Sequence, residues 1–195
     1  DYVDIFYSHR YDPVTPLEET LQTLVDIVRQ GKALYVGISK YPKEATEFAY
    51  KYLAERDVHC LLYQGKYNLF NREPEEEGIL RQAKENGTGF IAFSPLAQGL
   101  LTNRYLNGIP EDSRMARGGF LKKEQLTEDV LSKIKALNKM AEERGQTLAE
   151  MALAWVLKDD LVTSVIIGAS SVAQLEDNLK AIRNTSFTKE ELRRL

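Results

Sequence analysis

Each of five short apolar runs along the chain is followed by a segment that is polar or contains glycine. Runs that are apolar on both faces are typical of buried parallel strands, and ligand chemistry in parallel α/β folds gathers where such strands end. A purely structural set of loops would not require polar residues at all five ends. We therefore expect functional residues at Ser8-His9-Arg10, Ser39-Lys40-Tyr41, Gln64-Gly65-Lys66, Phe93-Ser94-Pro95 and Gly168-Ala169-Ser170-Ser171.

Two of these ends carry recognisable chemistry. His9 directly follows an apolar run, and its imidazole could act on a ligand or be a satisfied structural group. His59, the other histidine, precedes a strand and is expected to be structural. The segment from Gly168 to Ser171 leads a strand into a helix, where free N–H groups and the helix dipole favour an anion. Its two serines could equally serve only as helix caps.

Other classes of protein are disfavoured by what the sequence lacks. It has no third histidine, cysteine cluster, HExxH or GxSxG motif, so neither a metal site nor nucleophilic catalysis is expected. A net charge of −3 argues against a nucleic-acid partner. The longest apolar run, residues 151–157, is too short for a membrane span. A single cysteine, Cys60, cannot form an intramolecular disulfide, which indicates a reducing, cytoplasmic setting.

Helix start and stop signals alternate with the apolar runs. The strand candidates are Tyr2–Tyr7, Ala33–Ile38, Leu61–Gln64, Gly89–Phe93 and Thr163–Ile167. Between and after them, proline, capping-box and glycine signals predict helices. These signals are an N-cap and capping box at Thr15-Pro16-Leu17-Glu18, a start near Pro42, a helix from Pro74 to Gly87, capping boxes at Thr147–Glu150 and Ser171–Gln174, and a terminal helix within Thr188–Leu195.

Five βα units in series predict a parallel sheet covered by helices, in a single domain over residues 1–195. Two architectures fit: an open doubly wound sheet, or part of an eight-stranded (β/α)8 TIM barrel. A doubly wound nucleotide binder should carry a glycine-rich turn after its first strand, and none is present here. A barrel of ordinary size needs eight units and about 250 residues. Composition and spacing leave the choice open.

The long segment 97–128 precedes the last unit and is rich in glycine and proline. It contains Arg104, Arg114 and Arg117. A long ordered loop near strand ends is often a lid or a binding loop. A solvated loop with incidental arginines is the alternative.

Together the strand ends resemble the aldo-keto reductase family, from the first residue to about Arg183. The motifs are DYVDIFYSHR, GKALYVGIS, QGKYNLFNR, FSPLAQGLLTNRYLNGIPEDSR and SVIIGASSVAQLEDNL. The run SPLAQGLLTNRYLNGIPEDSRMA is most similar to the bacterial branch that reduces glyceraldehyde 3-phosphate and methylglyoxal, which is near the β subunits of voltage-gated potassium channels. The resemblance implies a (β/α)8 barrel, NADPH as cofactor and a small aldehyde or ketone as substrate.

The resemblance also implies roles for individual residues. His9 matches the histidine that orients the substrate carbonyl. Ser39 and Gln64 match residues that hydrogen-bond the nicotinamide carboxamide, and Phe93 matches the aromatic ring that stacks on the nicotinamide. Lys40, beside Ser39, departs from the asparagine common in many members.

Other matched residues fall on the phosphates and the adenosine. The Ser94–Leu101 loop, including Leu96 and Gly99, matches the pyrophosphate-binding loop, and Arg104 and Arg114 match basic residues that close over the cofactor. Gln174 stands where many members carry an arginine. The group expected to hold the adenosine and its 2′-phosphate is Ser170, Gln174, Asp177 and Asn178, and Gly168 is a further expected cofactor-binding residue.

The aspartate, tyrosine and lysine of the family's catalytic tetrad have no match, because the five strands here map to the fourth to eighth strands of the family's barrel. Tyr7 and Tyr67 do not match the catalytic tyrosine. The chain also lacks an initiator methionine, so we expect it to be part of something longer. Three hypotheses follow: a carbonyl reductase in the intact protein, an NADPH-binding regulatory protein like the channel β subunits, or an inactive fragment whose open sheet edges favour self-association, giving a possible homo-oligomer.

Overall fold

The computed structural model describes residues 1–111, 113, 115–116, 118 and 121–195. The chain forms two compact units. The first contains Asp1–Tyr67, Arg72–Phe93 and Asp160–Ser164, and the second contains Asn68–Asn71, Ser94–Asp159 and Val165–Leu195.

The strands follow one another across the sheet in the same order as along the chain, from β1 to β5. Pairing is parallel from β1 to β4, and just before β5 the Thr163 N–H donates to the Phe90 carbonyl at 2.8 Å. A doubly wound sheet reverses its strand order, whereas a barrel segment does not, so the order favours the barrel. The predicted strands are confirmed, with no end shifted by more than two residues: β1 Val3–Ser8, β2 Ala33–Ser39, β3 Cys60–Lys66, β4 Gly89–Phe93 and β5 Ser164–Ile166.

Helices connect successive strands, as right-handed βα units require. Within the described residues they are α1 Leu17–Arg29, α2 Lys43–Ala54, α3 Glu73–Glu76, α4 Ile79–Glu85, α5 Glu128–Glu143, α6 Leu148–Val156, α7 Val172–Leu179 and α8 Lys189–Arg194. The predicted starts of α2, α6 and α8 are confirmed. At α6, Thr147 Oγ1 accepts from the Glu150 N–H at 3.2 Å while the Glu150 carboxylate accepts from the Thr147 N–H at 3.1 Å.

The predicted cap of α1 and the predicted single helix from Pro74 to Gly87 are wrong, each for a local reason. Thr15 is not the cap of α1: its hydroxyl donates to the Asp12 carboxylate at 2.7 Å, and Pro16 takes the capping position. The helix predicted from Pro74 to Gly87 is two helices, because Gly78 adopts a left-handed conformation with φ of +82°. A right-handed helix cannot continue through such a residue.

Helix α5 was not expected from the helix signals. Its start is capped by Thr127, whose hydroxyl oxygen accepts from the Val130 N–H at 3.2 Å. The helix contributes Ile134, Met140 and Ala141 to the buried core of the second unit. That core also contains Leu100, Tyr105, Met115, Leu121, Leu148 and Met151.

The core of the first unit lies between the sheet and α1 and α2. From α1, Leu21, Leu24 and Val25 are buried, as the apolar stripe predicts. Inside the sheet, two glycines make room for aromatic rings: a Cβ on Gly37 would lie 2.6 Å from the Tyr7 ring, and one on Gly65 would lie 2.7 Å from the Phe90 ring. A larger residue at either position would push a ring out of the sheet face.

Strand β1 lies at one end of the sheet order and leaves large apolar side chains exposed. Tyr2 is 64% exposed, Val3 47% and Phe6 42%, and Leu34 and Tyr35 of β2 are also exposed. Self-association through such a face remains a prediction. No helix in the described part of the chain is both long and apolar enough to cross a membrane.

The buried thiol of Cys60 gives a prediction about thiol labelling and about stability at alkaline pH. Cys60 is 3% exposed, and burial raises the pKa of its thiol to about 12 from an ordinary value of 9.0. The folded state therefore favours the neutral thiol, so this contribution to stability is complete below pH 9 and is lost as the pH rises towards 12. We expect a thiol reagent at pH 8 to label Cys60 only after denaturation. The free energy of unfolding should fall less steeply with alkaline pH in Cys60→Ala than in the parent; equal slopes, or rapid native labelling, would contradict this account.

Candidate functional site

The register of the sheet brings the carboxyl ends of β1 to β4 to one edge of the first unit. Ser8 pairs with Ile38, Ser39 with Gln64, and Lys66 with Phe93. The residues predicted from the strand ends in this unit therefore lie at this edge. Ser39 and Gln64 are at the same level, whereas Phe93 pairs with Lys66, two residues beyond Gln64. The full set is His9, Ser39, Lys40, Gln64 and Phe93.

Ser39 carries a buried hydroxyl without a partner. The residue is 1% exposed, and within the described residues its Oγ has no hydrogen-bond partner. An unpaired buried hydroxyl costs about 1–3 kcal/mol, so such groups are rare unless something else satisfies them. A serine at a strand end, the position where parallel folds bind ligands, fits a hydrogen bond to a ligand amide. The residue therefore fits the nicotinamide carboxamide expected there.

Lys40 has an unusual backbone conformation for a lysine. Its φ is +57°, in the left-handed region that L side chains rarely adopt. Its N–H donates to the Gln64 carbonyl at 3.2 Å, which ties the end of β2 to β3. Its ammonium nitrogen lies over the Phe93 ring, 5.1 Å from the centroid. The structure thus brings Lys40, Gln64 and Phe93 together.

His9 is exposed and immediately follows Ser8, the last residue of β1. Its neighbour Ser8 is anchored, because Ser8 Oγ lies 2.8 Å from the Tyr41 hydroxyl. Tyr41 is held in turn by Tyr63, whose hydroxyl donates to the Tyr41 carbonyl at 2.7 Å, and by an edge contact with the Tyr11 ring. Burial raises the pKa of Tyr41, so its hydroxyl stays protonated. This arrangement fixes the backbone that carries His9.

The Ser8–Tyr41–Tyr63 arrangement was missed by sequence reasoning. Tyr41 was noted only as part of a strand end, and Tyr63 lay inside a predicted strand. The only available signal was an aromatic residue with a polar tip in a buried run, since such a hydroxyl needs a partner.

The loop that follows β4 lies in the second unit and is strongly curved. Ser94, Ala97 and Gln98 have φ values of +53°, +47° and +60°, and Gly99 has +105°. The Gly99 N–H donates to the Leu96 carbonyl at 2.8 Å and closes a tight turn. The N–H groups of Ala97, Leu100 and Leu101 are likewise bonded to carbonyls of the same loop. Its expected role as a phosphate contact therefore stays a prediction.

Asn68 holds this loop and was also missed. It is fully buried; its Nδ2 donates to the Ser94 carbonyl at 2.9 Å, and its Oδ1 accepts from the Phe70 N–H at 2.9 Å. Both halves of one amide are thus used to position the start of the loop. An asparagine inside the aromatic run YNLF was the signal that could have found it.

The start of α7, also in the second unit, carries Ser170 and Gln174. The Ser170 N–H and hydroxyl both donate to Gln174 Oε1, at 2.7 and 3.0 Å, while the Gln174 N–H donates to Ser171 Oγ at 3.2 Å. The predicted capping box is only half correct, because the Gln174 side chain turns to Ser170 and not back to Ser171. An acceptor oxygen therefore already lies where the oxygen of an anion would accept from Ser170.

The remaining predicted site residues differ from one another in burial and in hydrogen-bond partners. Asn178 is 4% exposed and its Nδ2 has no partner within the described residues, so it retains a donor for a ligand. Asp177 is instead paired with Lys180 at 2.6 Å on the exposed face of α7. Arg104 lies exposed in a 3₁₀ turn, and Gly168 is exposed after β5. Arg114 and Arg117 lie outside the described residues.

Residues 1–195 match the model of the aldo/keto reductase family. The chain belongs to that family. It is 53% identical to the L-glyceraldehyde 3-phosphate reductase of Escherichia coli K12, over 98% of this chain and 57% of that protein. It is 38% identical to a probable voltage-gated potassium channel subunit beta of Arabidopsis thaliana, over 93% of this chain and 57% of that protein. The chain thus spans little more than half the length of these relatives.

A solved structure supports the same assignment. A thermostable aldo-keto reductase in complex with the inhibitor epalrestat superposes with a TM-score of 0.73 at 30% identity, over 99% of this chain and 58% of that chain. Together with the sequential strand order, this decides between the two architectures: the chain has the fold of βα units from a (β/α)8 barrel. The doubly wound alternative is wrong.

Asn68 gives a prediction for the loop after β4. Asn68→Asp keeps the acceptor for the Phe70 N–H and removes the donor to the Ser94 carbonyl, so we expect the free energy of unfolding to fall by about 1–3 kcal/mol. Asn107→Asp, at an exposed position, is the matched control and should stay within about 0.5 kcal/mol of the parent. Urea denaturation measures both. Equal stabilities of the two variants would show that Asn68 does not hold the loop.

Proposed function

We propose that the protein containing this chain is an NADPH-dependent reductase of small aldehydes and ketones, such as methylglyoxal or glyceraldehyde 3-phosphate, and that it works in the cytoplasm. The observation that carries the proposal is the 53% identity to an L-glyceraldehyde 3-phosphate reductase over nearly the whole chain. The buried hydroxyl of Ser39, which has no hydrogen-bond partner among the described residues, supports it, since a nicotinamide carboxamide would satisfy that group. The single buried cysteine is in keeping with a reducing compartment.

In this proposal the first unit handles the nicotinamide. Ser39 and Gln64 hydrogen-bond its carboxamide and Phe93 stacks on the ring, an arrangement suited to a flat heteroaromatic. The bound nucleotide supplies a hydride. Lys40 adjoins these residues through its hydrogen bond to the Gln64 carbonyl and its position over the Phe93 ring. The strand register supports the grouping, because it places Ser39 beside Gln64.

His9 is the proposed catalytic residue of this chain. Its imidazole orients the substrate carbonyl by donating a hydrogen bond to the oxygen that gains charge during reduction. The support is its place directly after β1, on backbone fixed by the Ser8–Tyr41 hydrogen bond. The proton donor is proposed to come from outside this chain, since neither Tyr7 nor Tyr67 matches it. Burial also raises the pKa of Tyr7, which opposes its use as an activated acid.

The other proposed nucleotide contacts are residues of the second unit. The curved loop with Ser94, Leu96 and Gly99 contacts the pyrophosphate, and Arg104 and Arg114 supply positive charge. The proposed contacts of the adenosine and its 2′-phosphate are Ser170, Gln174, Asp177 and Asn178, and Gly168 is a further proposed cofactor contact. The N–H and the hydroxyl of Ser170 are the proposed phosphate donors, and Gln174 Oε1, which accepts from both in this structure, would give way to a phosphate oxygen.

The 38% identity to a channel β subunit supports a second candidate, a regulatory protein that holds NADPH and turns over slowly. Comparison of the steady-state rate with the residence time of the nucleotide separates the two. A reductase exchanges nucleotide at least as fast as it turns over, whereas a regulatory protein retains it for much longer than one catalytic cycle would need. The third candidate, an inactive fragment prone to self-association, predicts no turnover and concentration-dependent oligomers.

The role of His9 is tested by His9→Ala in the protein that contains this chain. We expect kcat/KM for methylglyoxal to fall by about 100-fold or more, because an oriented hydrogen-bond donor to the reacting oxygen is lost. The Kd for NADPH should change little. His59→Ala, at the opposite ends of the strands, is the control and should keep the parent kcat/KM. Unchanged turnover in His9→Ala would remove His9 from the mechanism.

Ser170 tests the nucleotide preference. NADPH and NADH differ only in the 2′-phosphate. Ser170→Ala should therefore weaken the binding of NADPH by about tenfold, the value of one charge-assisted hydrogen bond, and leave the affinity for NADH nearly unchanged. Ser132→Ala on α5 serves as the exposed control. Fluorescence titration measures the six dissociation constants of the parent and the two variants for the two nucleotides. An equal loss for both nucleotides would show that Ser170 does not contact the 2′-phosphate.

A further inference from the structure

We infer that Lys40 discriminates between the two redox states of the nicotinamide, by placing a positive charge beside the ring on which the nicotinamide stacks. The inference rests on the proposed nucleotide site and extends it, since it gives Lys40 a role of its own in the selection of reduced over oxidised nucleotide. All of the residues involved lie in the first unit.

The position of the ammonium is set by the backbone. Lys40 follows β2 directly in a left-handed conformation, with φ of +57°, and its N–H is bonded to the Gln64 carbonyl at 3.2 Å. From this fixed start the side chain reaches over Phe93, where its Nζ lies 5.1 Å from the ring centroid. Such a contact is a cation–π interaction, which attracts the ammonium to the ring face.

The charge of Lys40 is not neutralised locally. Within the described part of the chain, no carboxylate lies at ion-pair distance from its ammonium. The side chain is exposed, so solvent weakens its field without removing it. The 5.1 Å between Nζ and the Phe93 ring is shorter than the Debye length of about 8 Å at physiological salt. A ligand ring on Phe93 therefore experiences this charge.

The two redox states of a nicotinamide respond to that charge differently. The reduced ring is neutral, whereas the oxidised ring carries a positive charge. An ammonium at the Phe93 ring repels the oxidised form, and it also competes with that form for the negative face of the aromatic ring. The phosphates are common to both forms, so any attraction between them and Lys40 cancels in the ratio of the two dissociation constants.

The consequence is a site biased towards the reduced nucleotide. In a carbonyl reductase, such a bias favours uptake of the reductant and release of the spent nucleotide. A neutral residue at position 40 would lose this bias without losing the hydrogen bonds to the carboxamide, because Ser39 and Gln64 are unchanged.

The test measures Kd for NADPH and for NADP⁺ by calorimetry in the protein that contains this chain, with Lys40→Gln, Lys40→Arg and Lys51→Gln. Lys51 lies near the other end of α2, so its replacement removes the same charge away from the strand ends. In Lys40→Gln the ratio Kd(NADP⁺)/Kd(NADPH) should fall by about three- to tenfold, the size expected for one partly screened charge. A tenfold fall corresponds to about 30 mV in the potential of the bound two-electron couple.

Lys40→Arg should keep the parent ratio, and so should Lys51→Gln. A ratio that is unchanged in Lys40→Gln, or that falls equally in Lys51→Gln, overturns the inference and leaves the proposed function standing. If the parent protein binds neither nucleotide, the proposed function fails and the role of Lys40 fails with it.

Discussion

The parallel register of β1 to β4 is the constraint on which the first unit depends. It sets Ser39 opposite Gln64 and Lys66 opposite Phe93, so polar residues far apart in the chain reach the same edge of the sheet. The register is held by backbone hydrogen bonds and by rings that fit only over glycine: Tyr7 over Gly37 and Phe90 over Gly65. A slip of one residue would move each side chain to the other face of the sheet. Packing within the sheet thus decides which groups a ligand meets.

Some buried polar groups build the fold, and two others without partners lie at residues proposed to bind the nucleotide. Asn68 uses both ends of its amide to hold the loop after β4, and Tyr63 uses its hydroxyl to hold the Tyr41 backbone. Ser39 and Asn178 are as deeply buried, yet Ser39 Oγ and Asn178 Nδ2 lack partners within the described residues. An unpaired donor in a core lowers the stability of the folded protein. The presence of two such groups is therefore better explained if a bound ligand satisfies them.

Much of this could be predicted from the sequence. Buried parallel strands leave continuous apolar runs, and helix caps leave short local motifs, so all five strands and the starts of α2, α6 and α8 were identified. The misses depend on information that local patterns do not contain. Gly78 divides a helix through its backbone angle, Thr15 bonds to Asp12 in preference to the helix, and the Ser8–Tyr41 bond joins residues 33 positions apart. Strand order, which separates a barrel from a doubly wound sheet, is likewise a property of the folded chain.

The central claim is that the strand ends of the first unit bind a nicotinamide ring. A crystal structure of the protein that contains this chain, grown with NADPH, tests it most directly. The account predicts the carboxamide within about 2.7–3.2 Å of Ser39 Oγ, with the ring on Phe93. A nucleotide bound elsewhere, with Ser39 Oγ still lacking a partner, would contradict it.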